Sequence, residues 1–94
     1  MTEVRLTGRL VCADEREAAL VAALLPEHIA LTRAEPGCLL FEVARIGDSL
    51  AWRVEERFDG EDAFRGHQQR VAASEWGRRT AGIARDYSVE GVSS

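Results

Sequence analysis

A chain of 94 residues has room for one domain, 1–94, with a thin core, because at this length only roughly 60 to 65% of the unfolded surface is buried on folding. The composition, 46% hydrophobic and 30% charged, excludes a disordered chain, and the formal net charge of −4 argues against a nucleic-acid partner, which binds through clustered cations. No apolar run approaches the ~18 residues that span a bilayer, and residues 1–5 lack the layout of a signal peptide, so the expected setting is the cytoplasm, with no membrane partner.

The first element in chain order is a strand from Glu3 to Cys12, where Val4, Leu6, Leu10 and Cys12 alternate with Arg5, Thr7 and Arg9. Asp14 followed by Glu17 has the spacing of a capping box, so a helix is expected to start there. Its stripe of Leu20, Val21, Leu24, Leu25, His28, Leu31 and Thr32 carries it to about Ala34, with a kink expected at Pro26, which lacks a backbone donor. Glu35-Pro36-Gly37 ends it, the glycine being free to take positive φ. Cys38 to Ile46 is a second strand with apolar residues on both faces, Phe41 and Val43 on one and Leu40, Ala44 and Ile46 on the other.

Gly47-Asp48-Ser49 turns the chain into a third strand, Leu50 to Phe58, hairpinned to the second. Leu50, Trp52, Val54, Glu56 and Phe58 take one of its faces, and Arg53, Glu55 and Arg57 the other. Asp59 is expected to cap a second helix, with Glu61 and Asp62 in its first turn and Phe64, His67 and Val71 sharing a face. A further helical piece over Ser74 to Ala81 carries Trp76, and a last strand runs from about Ile83 to Val92 around Tyr87, with a disordered tail expected from about Gly91. The order β-α-β-β-α-β predicts an α+β, ferredoxin-like fold with a four-stranded antiparallel sheet and helices on one face. Since the second strand is apolar on both sides, a second copy is expected to cover the other face, making a homodimer through sheet faces.

All twelve basic residues are arginines, spread from Arg5 to Arg85 in the manner of a solvated surface. Cys12 and Cys38 form no CxxC pair, and with His28 and His67 they match no zinc spacing; both are expected to be reduced core residues, and no metal is expected.

The run His28-Ile29-Ala30-Leu31-Thr32-Arg33-Ala34-Glu35-Pro36-Gly37-Cys38-Leu39 resembles the antibiotic-biosynthesis-monooxygenase signature, in which a helical His is followed by a Glu-Pro-Gly-Cys turn. Val54-Glu55-Glu56-Arg57-Phe58, then Phe64, His67, Ser74 and Trp76, resemble that family's third strand and second helix, so the likeness covers almost the whole chain. It departs in one place: the family's second-helix His is commonly followed by Ser three residues later, whereas His67 and Ser74 are seven apart. The resemblance implies a dimeric α+β barrel of the quinol-monooxygenase-like kind, within a family that also includes haem-degrading enzymes. Those resemble a pattern using an Asn, a Trp and a His around the haem, a set this chain, which contains no Asn, cannot complete.

The activity so implied is oxidation of a quinol-like or polyketide-type hydroxyaromatic by O2 with no cofactor. The protein must then remove a proton, hold the resulting anion and exclude water. His28 and His67 are the candidate bases, since imidazole titrates near neutrality; the other reading is a helix-packing histidine for His28 and a partly exposed structural histidine for His67. Phe41, Trp52, Phe64, Trp76 and Tyr87 are candidate pocket walls, with plain core packing as the alternative. Glu56, a carboxylate on an inward face, needs a partner, which Arg85 or a substrate hydroxyl could supply. The alternative function is a non-catalytic dimeric module that holds a small ligand in the same cavity.

Overall fold

The computed structural model describes residues 2–92. In chain order the elements are β1 (Val4–Val11), α1 (Glu15–Arg33), β2 (Cys38–Arg45), β3 (Ala51–Phe58), α2 (Glu61–Ala73), α3 (Glu75–Arg79) and β4 (Ala84–Glu90). The strands form one antiparallel sheet in the order β2-β3-β1-β4, the ferredoxin-like arrangement expected from the sequence. In the central pair Leu6 stands opposite Glu56 and Leu10 opposite Trp52, so the residue at 56 is set on the helix-covered side by simple alternation.

Local chemistry accounts for most element boundaries. At the start of α1 the Asp14 side chain accepts from Glu17 N–H at 3.0 Å, the first half of a capping box, while the Glu17 side chain accepts from the N–H of Ala13, one residue before the cap, at 2.7 Å. The helix continues through Pro26 to Arg33. The turn after it lies close on α2, since a side chain added at Gly37 would come within 2.3 Å of Ala63 Cβ. On β2 the register shifts between Cys38 and Leu40, leaving Leu39 55% exposed on a bulge.

The capping of α2 differs from expectation. Its N-cap is Gly60 rather than Asp59, and no side chain caps it. Asp59 is instead spent on the turn after α1, its N–H donating to Gly37 O at 2.9 Å. α3 is a separate short helix whose Ser74 side chain accepts from Gly77 N–H at 3.0 Å. Of the tail expected to be disordered, residues 93 and 94 lie outside the described residues, while Gly91, at φ 93°, passes so close to Glu3 O that only glycine fits.

The core lies between the helices and one face of the sheet. Val4, Leu10, Val21 and Phe58 are fully buried there, with Leu6, Leu25, Trp52, Val54, Phe64 and Trp76 packed around them. The opposite face corrects a sequence expectation. Its β2 residues are Leu40, Glu42 and Ala44, and the register sets these beside Arg53, Glu55 and Arg57 of β3 and Arg5 and Arg9 of β1. That face is a lattice of charge over its middle, with Leu40 and Ala44 on β2 and Val11, Ala51 and Ala84 at one end, so the apolarity read on both sides of β2 covers only part of the sheet.

Candidate functional site

Every element of the fold brings side chains to a single spot under the helices. α1 supplies His28, β2 Phe41, β3 Glu56, α2 His67, α3 Trp76, and β4 Tyr87 and Arg85, and all seven line a cavity of about 70 Å³ between helices and sheet. The His28 ring stacks on Trp76 with centroids 4.4 Å apart and planes 7° off parallel, and meets the Phe41 ring nearly edge-on at 5.2 Å. Phe41 and Phe58 flank His67 at 5.9 and 4.9 Å. The rings are thus held by one another, and Leu6, Leu10, Val43, Val54 and Val71 complete a lining that is apolar apart from a few polar groups.

Those polar atoms are unevenly satisfied. His28 and Glu56 are each 6% exposed, and His28 Nδ1 and Glu56 Oε1 have no hydrogen-bond partner. Leaving a buried polar group unpaired costs roughly 1–3 kcal/mol, so such atoms in a folded protein call for an explanation. His67 Nε2 is the nearest cationic-capable group to Glu56, at 3.7 Å, beyond hydrogen-bonding distance. By contrast His67 Nδ1 lies 2.9 Å from Glu35 Oε1, and the other Glu35 oxygen accepts from Arg70 Nε. A carboxylate facing Nδ1 places the proton of the neutral imidazole there and leaves Nε2 bare toward Glu56.

Burial dominates the titration of these groups. It pushes the Glu56 carboxyl up to about 7, with the nearby Glu35 charge acting in the same direction. It pushes His28 down to about 3, with His67, Arg70 and Arg85 adding to the shift. For His67 burial lowers the pKa more than the Glu35 carboxylate raises it. Tyr87 is pushed up to about 12, again chiefly by burial. Near neutrality the cavity therefore holds a neutral His28, a phenolic Tyr87 and a Glu56 carboxyl divided between its two protonation states.

Two residues expected from the sequence to line a pocket lie elsewhere. Trp52 packs in the core under the Arg45 guanidinium, 5.0 Å from its ring, and Phe64 packs on Phe58 at 5.8 Å. Arg85 lines the cavity but does not pair with Glu56; it donates to Thr80 O at 2.7 Å, Thr80 Oγ1 at 2.9 Å and Ile83 O at 2.9 Å, bracing the approach to β4. The residues that sequence reasoning missed are Glu35 and Arg70, which with Thr32 form the polar cluster behind His67. The helical spacing of His67 and Arg70, which puts both on one face of α2, and the place of Glu35 in the Glu-Pro-Gly-Cys turn were the available signals.

The cavity has two thin walls. The His28–Trp76 stack separates it from a dent of about 60 Å³ between α1 and α3, since both residues border both hollows. On the other side His67 separates it from an open groove of about 510 Å³ bordered by Glu35, Phe58, Asp62 and Arg70.

A family model described as antibiotic biosynthesis monooxygenase matches residues 4–79, a stretch that holds His28, Glu35, Phe41, Glu56, His67 and Trp76. The chain belongs to that family. Tyr87 and Arg85, which complete the cavity from β4, fall outside the matched stretch. Solved structures with the same fold include Rv0793 from Mycobacterium tuberculosis, 20% identical, with a TM-score of 0.74 over 99% of this chain and 97% of that one. A protein from Nitrosomonas europaea named for the same family is 15% identical, with a TM-score of 0.78 over 96% of this chain and 97% of that one. PA3566 from Pseudomonas aeruginosa is 22% identical, with a TM-score of 0.71 over 96% and 91% of the two chains. At such identities the likeness speaks for the fold alone. Among curated proteins no sequence matches the chain. No helix among the described residues is long and apolar enough to cross a membrane.

Proposed function

We propose that this member of the antibiotic biosynthesis monooxygenase family oxidises a single-ring quinol with dioxygen, without flavin, haem or metal, and that Glu56 takes the first proton. The observation that carries the proposal is the pair of unpartnered buried atoms, His28 Nδ1 and Glu56 Oε1, on two side chains lining one cavity between helices and sheet. A quinol has two hydroxyls to offer them, and pairing both would relieve a penalty the empty site carries.

The proton acceptor is Glu56 rather than His28. A base works best when its pKa lies near the working pH, which a carboxyl at about 7 meets and an imidazole at about 3 does not. His28, kept neutral, then holds the second hydroxyl, and Phe41, Trp76 and Tyr87 form the walls against the ring. The quinol anion supplies the electrons that reduce dioxygen; one oxygen atom ends on the ring as a hydroxyquinone and the other leaves as water.

The size of the cavity favours one ring over a polyketide-type polycycle. A cavity of roughly 150 Å³ accepts benzene; this one, at about 70 Å³, admits a single ring only if a wall yields. The wall suited to yield is the His28–Trp76 stack, because α3 is a five-residue helix and displacing Trp76 would join the cavity to the dent beyond it. A homodimer through the open sheet faces belongs to the same proposal. Its contacts would be ion pairs among residues such as Arg53, Glu55 and Arg57 rather than apolar packing, so dimer mass in analytical ultracentrifugation should fall as salt is raised.

Oxygen uptake by purified protein, measured over a panel of one-ring quinols and three-ring anthrone-like compounds, tests the reaction. Turnover is expected with one-ring members, and Glu56→Gln should lower kcat/KM by about 100-fold or more. No uptake above the blank with any compound would reject the oxygenase. A thermal shift by a quinol recovered unchanged would then establish the ligand-holding module in its place.

A further inference from the structure

The substrate proton must reach solvent, and one side chain touches both the cavity and the open groove beside it. His67 is that residue: its side chain is 4% exposed and borders both the cavity and the open groove. Its two ring nitrogens face opposite ways, Nε2 toward Glu56 Oε1 at 3.7 Å and Nδ1 toward Glu35 Oε1 at 2.9 Å. Glu35 in turn borders the groove and is held from behind by Arg70, which also donates to Thr32 Oγ1 at 3.0 Å. An ion pair serving structure alone would not need the far nitrogen of the ring turned toward an unpartnered buried carboxyl.

Building on the proposed oxygenase reading, we infer that Glu56, His67 and Glu35 form a proton relay, which carries the substrate proton to the groove while the substrate itself enters past Trp76. In the outward step Glu56 gives its proton to His67 Nε2 as the Nδ1 proton passes to Glu35 and on to water. The imidazole gains one proton as it loses the other, so the imidazolium that burial disfavours is never required to persist. Outward transfer leaves the ring as its other tautomer. Reduction of dioxygen to water later consumes a proton, and inward transfer along the same path supplies it and restores the starting tautomer. The gap between Glu56 and Nε2 exceeds a hydrogen bond by ~0.7 Å, within ordinary thermal displacement of side chains. The charged and titratable groups facing this path are His28 from α1, Glu35 from the turn after it, Cys38 from β2, Arg70 from α2, and Arg85 and Tyr87 from β4. Glu35 and His67 act on the reacting proton through Glu56 and are positioning residues in that sense.

The test needs no turnover. In the full chain labelled with ¹³C at glutamate carboxyls, the Glu56 signal near its midpoint reports how fast its proton exchanges with solvent. Exchange should be fast in the wild type and slower by about tenfold or more in Glu35→Gln. It should be slowed in Glu35→Ala and restored by acetate, which the open groove admits. His67→Gln provides a second block on the path, slowed in the same way but not rescued by acetate. Wild-type exchange in a folded Glu35→Gln or His67→Gln protein, or no acetate rescue of Glu35→Ala, would overturn the relay. Oxygen uptake separates the two ideas. Slowed exchange in a protein that oxidises no quinol would leave the relay standing without the oxygenase. Unaltered exchange in a protein that does turn over would remove the relay and keep the oxygenase.

Discussion

Glu55 and Glu56 are adjacent on β3 and differ only in which face of the sheet they meet. Glu55 stands on the open face opposite Thr7 and Glu42, with Arg53 and Arg57 on either side of it along the strand. Glu56 stands under the helices, 6% exposed, among Phe41, His67 and Trp76. The first is one charge in a solvated lattice, while the second is a carboxyl pushed up to about 7 because water has been taken from it. The two faces teach that residue type does not decide chemistry here; a pleat of one residue does.

The contrast can be broken most strongly at the covered face. Phe58 is fully buried between β3 and the helices, so Phe58→Ala should cost about 3–5 kcal/mol in denaturant unfolding. A loss well below that range would show the covered side to be loosely packed. Glu56→Gln should act in the opposite direction at alkaline pH. Below pH 4.5 Glu56 is protonated in both the folded and the unfolded state and carries no penalty; between 4.5 and about 7 the unfolded chain sheds a proton the folded chain keeps, so stability falls as pH rises. Above that window the penalty is constant, and the Gln variant, which never ionises, should be the more stable at pH 8 by on the order of 2 to 3 kcal/mol. Equal stabilities at pH 8 would mean that the carboxyl is solvated after all.

His28 gives a similar effect of opposite sign. Its pKa falls from an ordinary 6.5 to about 3, so below 6.5 the unfolded chain binds a proton the folded chain refuses, and stability is lost as pH falls through that window. His28→Gln should therefore lose about 1 to 2 kcal/mol less than the wild type between pH 7 and pH 5, read from unfolding curves at each pH. The smallest effect belongs to the open face. At salt high enough to dissociate the proposed dimer, Arg53→Gln should change stability by no more than about 0.5 kcal/mol, since an exposed charge in a lattice is then well screened. A large loss would reveal that this face is covered by something that needs the arginine.

The sequence was a good guide wherever a feature is decided within a few residues. The strand alternation of β3 already placed Trp52, Val54, Glu56 and Phe58 together, and the Asp14 to Glu17 spacing marked the start of α1. It misled where a local signal competes with a distant one. Asp59 has the chemistry of a helix cap, but the turn at Gly37 takes its backbone, and Gly60 begins α2 instead. Arg85 was an apt partner for Glu56 by charge, yet the carbonyls of Thr80 and Ile83 lie nearer and hold it. The polar cluster behind His67 escaped notice because Glu35 lies 32 residues from His67 and 35 from Arg70 along the chain.

The sequence by itself determined the order of elements, the face each residue takes and the family, because periodicity, caps and the Glu-Pro-Gly-Cys turn are local patterns. Only the tertiary structure decided that His28 and Glu56 line one cavity with polar atoms left over, that Trp52 and Phe64 stand outside it, and that His67 stands between it and the open groove. Those facts depend on how far apart packed surfaces stand and on which atoms are cut off from water, and both are settled only when the helices close on the sheet.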